Sequence, residues 1–331
     1  MATRFRHNFV PLFAVAVLLT GCSYGRSAAV APMNSTPRTT QPSMTVDRAA
    51  STTSSALAVF LSSFNGPNFA GEVVAFPGGL GAHNPPVLRT IASGTQRPFG
   101  MWVDSAGTLY VVNIPDGEPT TGVSEYHPGA TQPFRVLTQG LVFPTSVAVD
   151  AAGNVFVNQR QGDGGSGDFV TVFPPGKLQP SRTIDLHFAG YDLQAGGMAF
   201  DRHGNLLVAA ANFRVGLHIF KVAPGSSAAT ELHLSITGTQ DISSTPGVAV
   251  DGAGNLCVSS LGSIAVFAPG ATTASRFTTK GANLIAVLPD GTLYASTGSG
   301  VDEYKPGANS PANSVTDQNV DGFGVAVGPA F

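Results

Sequence analysis

The sequence predicts an all-β protein, a six-bladed β-propeller of four-stranded antiparallel blades. Three observations lead to this prediction. A unit of apolar strand, turn and apolar strand recurs along residues 56–331, and an aromatic residue closely followed by Pro and Gly marks the chain six times. Residues 56–331 number 276, so six units would have 46 residues each, which is the size of a propeller blade.

Composition excludes several other classes of protein. Lys and Arg number 17 against 20 Asp and Glu, a net charge of −3 with no basic run, so we expect no nucleic-acid partner. The chain is 43% hydrophobic and only 11% charged, which is enough apolar surface to build a core. Two cysteines exclude a disulfide scaffold and a cysteine-based zinc site.

The first 21 residues have the features of an export signal. Arg4 and Arg6 precede an apolar stretch at 9–19, which is too short to span a membrane. The sequence Leu-Thr-Gly-Cys that ends at Cys22 resembles the lipobox of bacterial lipoproteins. The resemblance implies that 1–21 are removed and that Cys22 carries the lipid; an ordinary signal peptide with a chance cysteine is the alternative.

These features predict a bacterial cell-envelope protein whose partner is the lipid bilayer, bound through Cys22. Several acyl chains give stable anchoring where one does not. The lipoprotein resemblance implies outer rather than inner membrane, because Ser23 stands where an inner-membrane retention signal would have Asp. Residues 22–55, rich in Ser, Thr, Ala and Pro, are predicted to be a disordered tether after the lipidated Cys.

Each repeat then begins with a hairpin. Its first strand starts at Gly100, Ser146, Gly197, Gly247 and Leu284, with a half copy at Gly324. Asp and Gly of the D-x-x-G turn have separate tasks: the Asp side chain caps the turn and the Gly supplies a positive φ. The turn Asp residues are Asp104, Asp150, Asp201 and Asp251, whereas Leu288 replaces the fifth. We interpret them as four local caps in separate blades rather than as one carboxylate cluster.

The Pro-Gly marks follow each hairpin and predict type II turns. Each unit therefore has four strands, A, B, C and D. The N-terminal unit starts at strand B (59–63), continues with C (72–76) and D (87–91) and lacks an A, which the C-terminal half copy supplies. Pairing the two ends closes the ring and removes a free sheet edge.

The stretch 247–258, G-V-A-V-D-G-A-G-N-L-C-V, resembles the repeat of NHL-type six-bladed propellers. That group is allied in fold to the gluconolactonase and virginiamycin-lyase propellers. The resemblance covers 56–331 and implies the fold. It does not choose a function, because this fold hosts enzymes and binding proteins alike.

Two faces follow from this topology. The turn face carries the A–B and C–D turns. The long-loop face carries the D–A loops and the B–C loops at 65–71, 113–122, 159–168, 211–216, 260–263 and 297–300. We expect ligands at the long-loop face, where residues after strand B would surround the channel mouth. The candidate ligand-binding residues are Asn113, Asn158, Gln159, Ser260 and Thr297, together with Trp102 of strand A.

Trp102 stands where other A strands have Ala, and we favour packing over stacking on a ligand for its role. Cys257 is predicted to be a buried thiol. The gluconolactonase resemblance implies a divalent metal, for which Asn113 and Asn158 are available but no carboxylate stands at an equivalent position. Acidic residues lie farther out in the loops, at Asp116, Glu118, Asp163 and Asp168.

The lyase resemblance implies a His/Glu acid–base pair, yet no His is predicted at the rim. Three histidines are assigned to the turn face and three to the outer blade; these are His83, His127, His203, His187, His218 and His233. The sequence thus predicts no catalytic residue, no metal ligand and no cofactor.

The favoured function is a lipid-anchored, monomeric binding module whose long-loop face takes a protein, a glycan or a small molecule. The first alternative is a metal-dependent lactonase- or lyase-like enzyme. The second is a structural scaffold of the envelope.

Overall fold

The computed structural model describes residues 57–63, 71–81, 85–114, 121–160, 168–186, 193–212, 214–236, 245–316 and 322–330. Every regular element within these ranges is a β-strand, and they hold no helix that could span a bilayer. The predicted signal peptide, Cys22 and the tether lie outside the described residues.

In the part of the chain that the structure describes, twenty-four strands form six antiparallel sheets of four, as the sequence predicted. The first sheet contains β1 (Leu57–Ser63), β2 (Glu72–Pro77), β3 (Arg89–Ile91) and β24 (Val325–Pro329). The second contains β4 (Pro98–Val103), β5 (Leu109–Asn113), β6 (Gly122–Tyr126) and β7 (Arg135–Leu137). The third contains β8 (Phe143–Val149), β9 (Val155–Arg160), β10 (Asp168–Phe173) and β11 (Arg182–Asp185).

The remaining three sheets repeat this order. The fourth contains β12 (Gln194–Phe200), β13 (Leu206–Asn212), β14 (Gly216–Val222) and β15 (Ala229–Glu231). The fifth contains β16 (Val248–Val250), β17 (Leu256–Ser259), β18 (Ile264–Phe267) and β19 (Arg276–Phe277). The sixth contains β20 (Ile285–Val287), β21 (Leu293–Ser296), β22 (Gly300–Tyr304) and β23 (Asn313–Thr316).

The two ends of the propeller meet in the first blade. Strand β24 pairs antiparallel with β1, with Val59 opposite Val327 and Leu61 opposite Val325. The sheet order β24-β1-β2-β3 makes β24 the A strand of a blade whose other strands come from the N-terminal side. The predicted head-to-tail closure is therefore confirmed.

Apolar packing is distributed evenly around the ring. Six hydrophobic clusters each combine residues of two consecutive blades, including the sixth with the first. Both faces of the inner strands are consequently buried. This explains why the sequences of these strands are continuous runs of apolar residues rather than alternations of apolar and polar residues.

The turns confirm the chemistry predicted for them. The carboxylate of Asp251 accepts the backbone N–H of Asn255 at 2.8 Å and its side-chain amide at 2.7 Å, while Gly254 has a φ of +85°. Asp104, Asp150 and Asp201 cap their turns in the same way. At five of the six Pro-Gly marks the Gly has a positive φ, as a type II turn requires; Gly129, for example, has a φ of +77° between the hydrogen-bonded His127 and Ala130. The prediction is wrong at the first mark, where Gly79 rather than Gly78 has the positive φ and the N–H of Gly78 donates to Leu57 O.

Candidate functional site

The six A strands surround a cavity of about 140 Å³ at the centre of the ring. The residues that line it lie at 100–103, 146–147, 197–200, 248–250, 284–287 and 325–327. All of them are apolar or Gly except Ser146, whose hydroxyl donates to the carbonyl of Gly196 at 2.7 Å. The described wall of the cavity is therefore uncharged.

The cavity opens towards the turn face. Lining residues at the ends of the A strands, next to the D-x-x-G turns, are half-buried: Val103, Phe200, Val250, Val287 and Val327. Those at the starts, such as Gly100 and Val325, are buried. A channel mouth among the strand B ends of the long-loop face was predicted. The observed cavity is lined by A strands instead, and it opens towards the other face.

Trp102 lines this cavity and also packs. Its ring meets that of Phe200 edge-on, with centroids 6.4 Å apart and planes at 86°. Phe200 in turn lies edge-on to Phe156 at 5.3 Å. Trp102 contacts the cluster that contains Ala148, so the small residue of the third blade leaves room for its indole.

Phe200 is a site residue that the sequence analysis missed. It stands at the position held in other A strands by Val103, Val149, Val250 and Val287. An aromatic residue at a repeat position otherwise held by Val was the available signal. Comparing every A-strand position, rather than the Ala position alone, would have found it.

Polar side chains at the ends of B strands join neighbouring parts of the ring. Asn158 Nδ2 donates to Gly196 O at 2.9 Å, and Ser296 Oγ donates to Gly322 O at 2.7 Å. Ser259 Oγ donates to Asn283 O, and Ser62 Oγ accepts the N–H of Gly324 at 2.8 Å. These side chains are buried and bond to main chain, so they act as structural contacts in the described ring. Asn158 Oδ1 is the exception, because it accepts no hydrogen bond from the described residues.

Asn113 and Gln159 hold the D–A loops of their blades. Asn113 Oδ1 accepts Gln96 N–H at 3.0 Å, and its Nδ2 donates to Gly94 O and to Ser124 Oγ. Gln159 Oε1 accepts Val142 N–H at 2.7 Å, and its Nε2 donates to Gly140 O and to Thr171 Oγ1. Both side chains are buried and use their amide hydrogens within the fold.

The other two candidates differ in exposure. Ser260 is buried and its hydroxyl donates to Ser263 O at 3.1 Å. Thr297 is exposed at the β21–β22 loop, where its backbone N–H donates to Gly300 O. Of the six predicted ligand-binding residues, Thr297 on the long-loop face and Trp102 in the cavity are the ones with exposed surface.

A divalent cation does not fit the described donor set. Asn113 Oδ1 already accepts a main-chain N–H, which leaves Asn158 Oδ1 as a single unpartnered amide oxygen, fewer ligands than a hard cation takes. The part of the chain that the structure describes brings together no group of three His, Cys, Asp or Glu side chains. Asp116, Glu118 and Asp163 lie outside it. Asp168 was expected farther out in a loop, and that prediction is wrong because Asp168 is buried as the first residue of β10.

The described histidines lie away from the cavity. His127 stacks on Phe134, and His203 and His233 are exposed. His218 Nδ1 lies 2.7 Å from Glu231 Oε1, across β14 and β15 of the outer blade. His83 and His187 are outside the described residues.

Cys257 is buried in the cluster between the fifth and sixth blades. Burial raises the pKa of its thiol to about 12, with a smaller contribution from the nearby Asp251. It therefore packs as a small apolar side chain, as predicted, rather than acting as a thiolate.

Solved structures of the same architecture have diverged far in sequence. A candidate 6-phosphogluconolactonase from Bacteroides fragilis has a TM-score of 0.59 at 14% identity, covering 84% of this chain and 99% of that one. A protein of unknown function from Bacteroides caccae has 0.58 at 11%, covering 82% and 99%. A candidate 6-phosphogluconolactonase from Bacteroides uniformis has 0.52 at 15%, covering 79% and 83%.

These likenesses show the propeller fold. No family model matches the chain, and no curated protein matches it.

Proposed function

We propose that this protein is an exported, lipid-anchored propeller of NHL type that works as a binding module through its long-loop face. One observation carries the proposal. The polar side chains at the strand B ends are used inside the fold, as Asn113, Gln159 and Ser296 illustrate. Recognition is therefore assigned to the loops that follow the B strands, in one of which Thr297 is exposed.

The ligand class follows from charge. Only 11% of residues are charged, and the loops are rich in Gly, Asn, Ser and Thr. Neutral amides and hydroxyls suit a carbohydrate or a peptide better than a phosphate. The NHL assignment is supported by the G-V-A-V-D repeat, and the anchor by the lipobox that ends at Cys22.

The binding proposal is tested by loop replacement. Residues 115–120 are replaced by Gly-Ser, and Thr297 is changed to Ala in the same chain. Binding to purified envelope glycans and to crosslinked envelope proteins is then measured. We expect at least a tenfold loss of affinity, whereas Ala228→Leu at an exposed position of the turn face has no effect. Unchanged binding by the loop variant would contradict the proposal, and no partner at all would favour the scaffold alternative.

Anchoring is tested separately by metabolic labelling with an alkyne fatty acid. The wild-type chain should incorporate label and sediment with membranes, and Cys22→Ala should do neither. Label retained on the Cys22→Ala chain would exclude Cys22 as the attachment site.

A second candidate function is lactone hydrolysis, which the similarity to two candidate 6-phosphogluconolactonases favours. The test is hydrolysis of 6-phosphogluconolactone with Mg²⁺ or Ca²⁺, against a triple variant of Asp116, Glu118 and Asp163 to amides. Turnover above the uncatalysed rate that this variant loses would establish the enzyme instead of the binding module.

A further inference from the structure

The central cavity is separate from the long-loop face and has its own chemistry. Its wall is formed by A strands of all six blades. The wall offers backbone, Ala, Val, Ile, Leu, Met, Trp and Phe, while its one hydroxyl, on Ser146, already donates to Gly196 O. The A strands are the inner edge strands of their sheets, so main-chain N–H and C=O groups are the polar groups of the wall, whereas its side chains favour an apolar occupant.

The size of the cavity sets the size of an occupant. Its volume is about 140 Å³. Apolar protein cavities of roughly 150 Å³ stay dry and admit a molecule such as benzene. One aromatic ring with a small substituent is therefore the largest occupant that fits without movement of the wall.

The wall is also asymmetric. On one side Trp102 and Phe200 form an edge-to-face pair with centroids 6.4 Å apart. The A strands of the fifth, sixth and first blades present Ala249, Ala286 and Ala326 at the position that Trp102 occupies in the second. Aromatic rings prefer such offset and edge-on partners, so the aromatic side gives the occupant an orientation and the alanines leave space for it.

We propose that the central cavity is a binding site for one small apolar molecule containing a single aromatic ring, entered from the turn face and held against Trp102 and Phe200. This site does not depend on the proposed function of the long-loop face. The half-buried ring of Val103, Val250, Val287 and Val327 forms its entrance.

The sequence supplies the assay. Trp102 is the only Trp of the chain, so intrinsic Trp fluorescence reports on the cavity alone. Toluene is the probe, glucose is the polar comparison, and the full chain is titrated with each. We expect saturable quenching by toluene and a rise of about 2–4 °C in Tm near saturation, with neither effect from glucose.

Two variants separate binding from non-specific quenching. Ala286→Leu fills the space across the cavity from the Trp102–Phe200 pair and should weaken toluene binding at least tenfold. The exposed Ala228→Leu adds the same side chain elsewhere and should change nothing. Trp102→Phe keeps an aromatic side chain in the wall and should retain the Tm shift. This variant still tests the proposal if Ala286→Leu does not fold. Linear, non-saturable quenching, equal affinity in Ala286→Leu, or no Tm shift in either wild type or Trp102→Phe would overturn the proposal.

Discussion

Two glutamates at the same repeat position have opposite environments. Glu303 of β22 is fully buried and accepts hydrogen bonds from Leu80 N at 2.7 Å, Asn313 Nδ2 at 3.0 Å and the ammonium of Lys305. Burial alone would raise the pKa of Glu303, but these donors outweigh it and lower the pKa below its ordinary value. Glu125 of β6 is equally buried.

Glu125 pairs with Arg135 at 2.5 Å through Oε2, and its Oε1 accepts no hydrogen bond from the described residues. Burial therefore dominates and raises the pKa of Glu125, with Arg135 offsetting only part of the effect. The difference arises because Leu80 belongs to the first blade, so the Glu303 carboxylate ties the sixth blade to it across the closure of the ring.

Glu303→Gln should destabilise the protein by about 2 kcal/mol at pH 7, because the new amide N–H₂ would face other donors. A lowered folded pKa means that the charged Glu303 stabilises the fold above its unfolded pKa and loses that contribution as pH falls through the folded pKa. The difference between Glu303→Gln and wild type should therefore shrink in acid. Urea unfolding at pH 7 and at pH 3.5 measures both quantities.

Glu125→Gln is the matched comparison for this substitution. Its raised folded pKa gives the opposite sign, so Glu125 favours the fold below its unfolded pKa and loses that contribution as pH rises through the folded pKa. We expect a cost at pH 7 below about 1 kcal/mol. Equal losses in both variants at pH 7 would contradict the proposed role of Glu303 in the closure.

The roles of the candidate site residues were harder to predict from the sequence than those of the turn residues. A turn Asp acts on residues two and four positions away, so its role is readable from local sequence. Asn113 and Asn158 both stand at the end of a B strand in the sequence. The side chain of Asn113 nevertheless makes a hydrogen bond within its own blade, whereas that of Asn158 makes one to the next blade. The choice depends on register, since Asn113 and Gln159 face Pro98 and Pro144 across the sheet whereas Asn158 faces Ser146.

At the scale of elements, the start of strand A is a point of close contact between blades. A Cβ on Gly324 would lie 1.8 Å from the carbonyl oxygen of Phe99 in the second blade. A Cβ on Gly247 would lie 2.8 Å from Ile285 N of the sixth blade. At Gly324 and Gly247 the neighbouring main chain therefore leaves no room for a Cβ, whereas the third and sixth blades have Ser146 and Leu284 at the same repeat position.

Gly324→Ala should lower the free energy of unfolding by about 3 kcal/mol, because main chain must move to admit the methyl group. Gly81→Ala is the control, since its Cβ would meet nothing closer than Gly79 O at 3.7 Å, and we expect a change within about 0.5 kcal/mol. Thermal and urea unfolding of the three proteins provide the comparison. A Gly324→Ala protein as stable as wild type would contradict close blade contact at this point.

The strands and their order were predictable because each repeat has the same local pattern. An apolar run is followed by a turn with Gly at a fixed position and then by another apolar run. The partner of Gly324 was not predictable in this way. It is Phe99, more than two hundred residues away in sequence, and contact between them exists only once the ring has closed.

At the scale of the molecule, stability is shared among six equivalent junctions. The junction between the sixth and first blades includes Val59, Leu61 and Val325 together with Tyr294 and Val301. The chain runs from β23 of the sixth blade into β24, so the contact that chain continuity does not bring about is the pairing of β24 with β1 inside the first blade. Pairing of β24 with β1 therefore completes the last blade, and the central cavity requires it because 325–327 form part of the wall.

The most direct test of this closure is a disulfide between its two strands. Val59 and Val327 are partners in the β1–β24 register. Ser62 and Gly324, three residues along, form a hydrogen-bonded pair, so Val59 and Val327 form a non-hydrogen-bonded pair. Side chains lie closer together in such a pair, and a disulfide can span it. Val59→Cys and Val327→Cys are introduced together in a Cys22→Ser, Cys257→Ala background, and mild oxidation is followed by peptide mass spectrometry. The closed six-bladed ring predicts an intrachain 59–327 disulfide in the monomer and none when Cys replaces Val287, the equivalent residue of the neighbouring blade, instead of Val327. Failure to form the 59–327 bridge in folded protein, or its formation only between two chains, would contradict the closed ring.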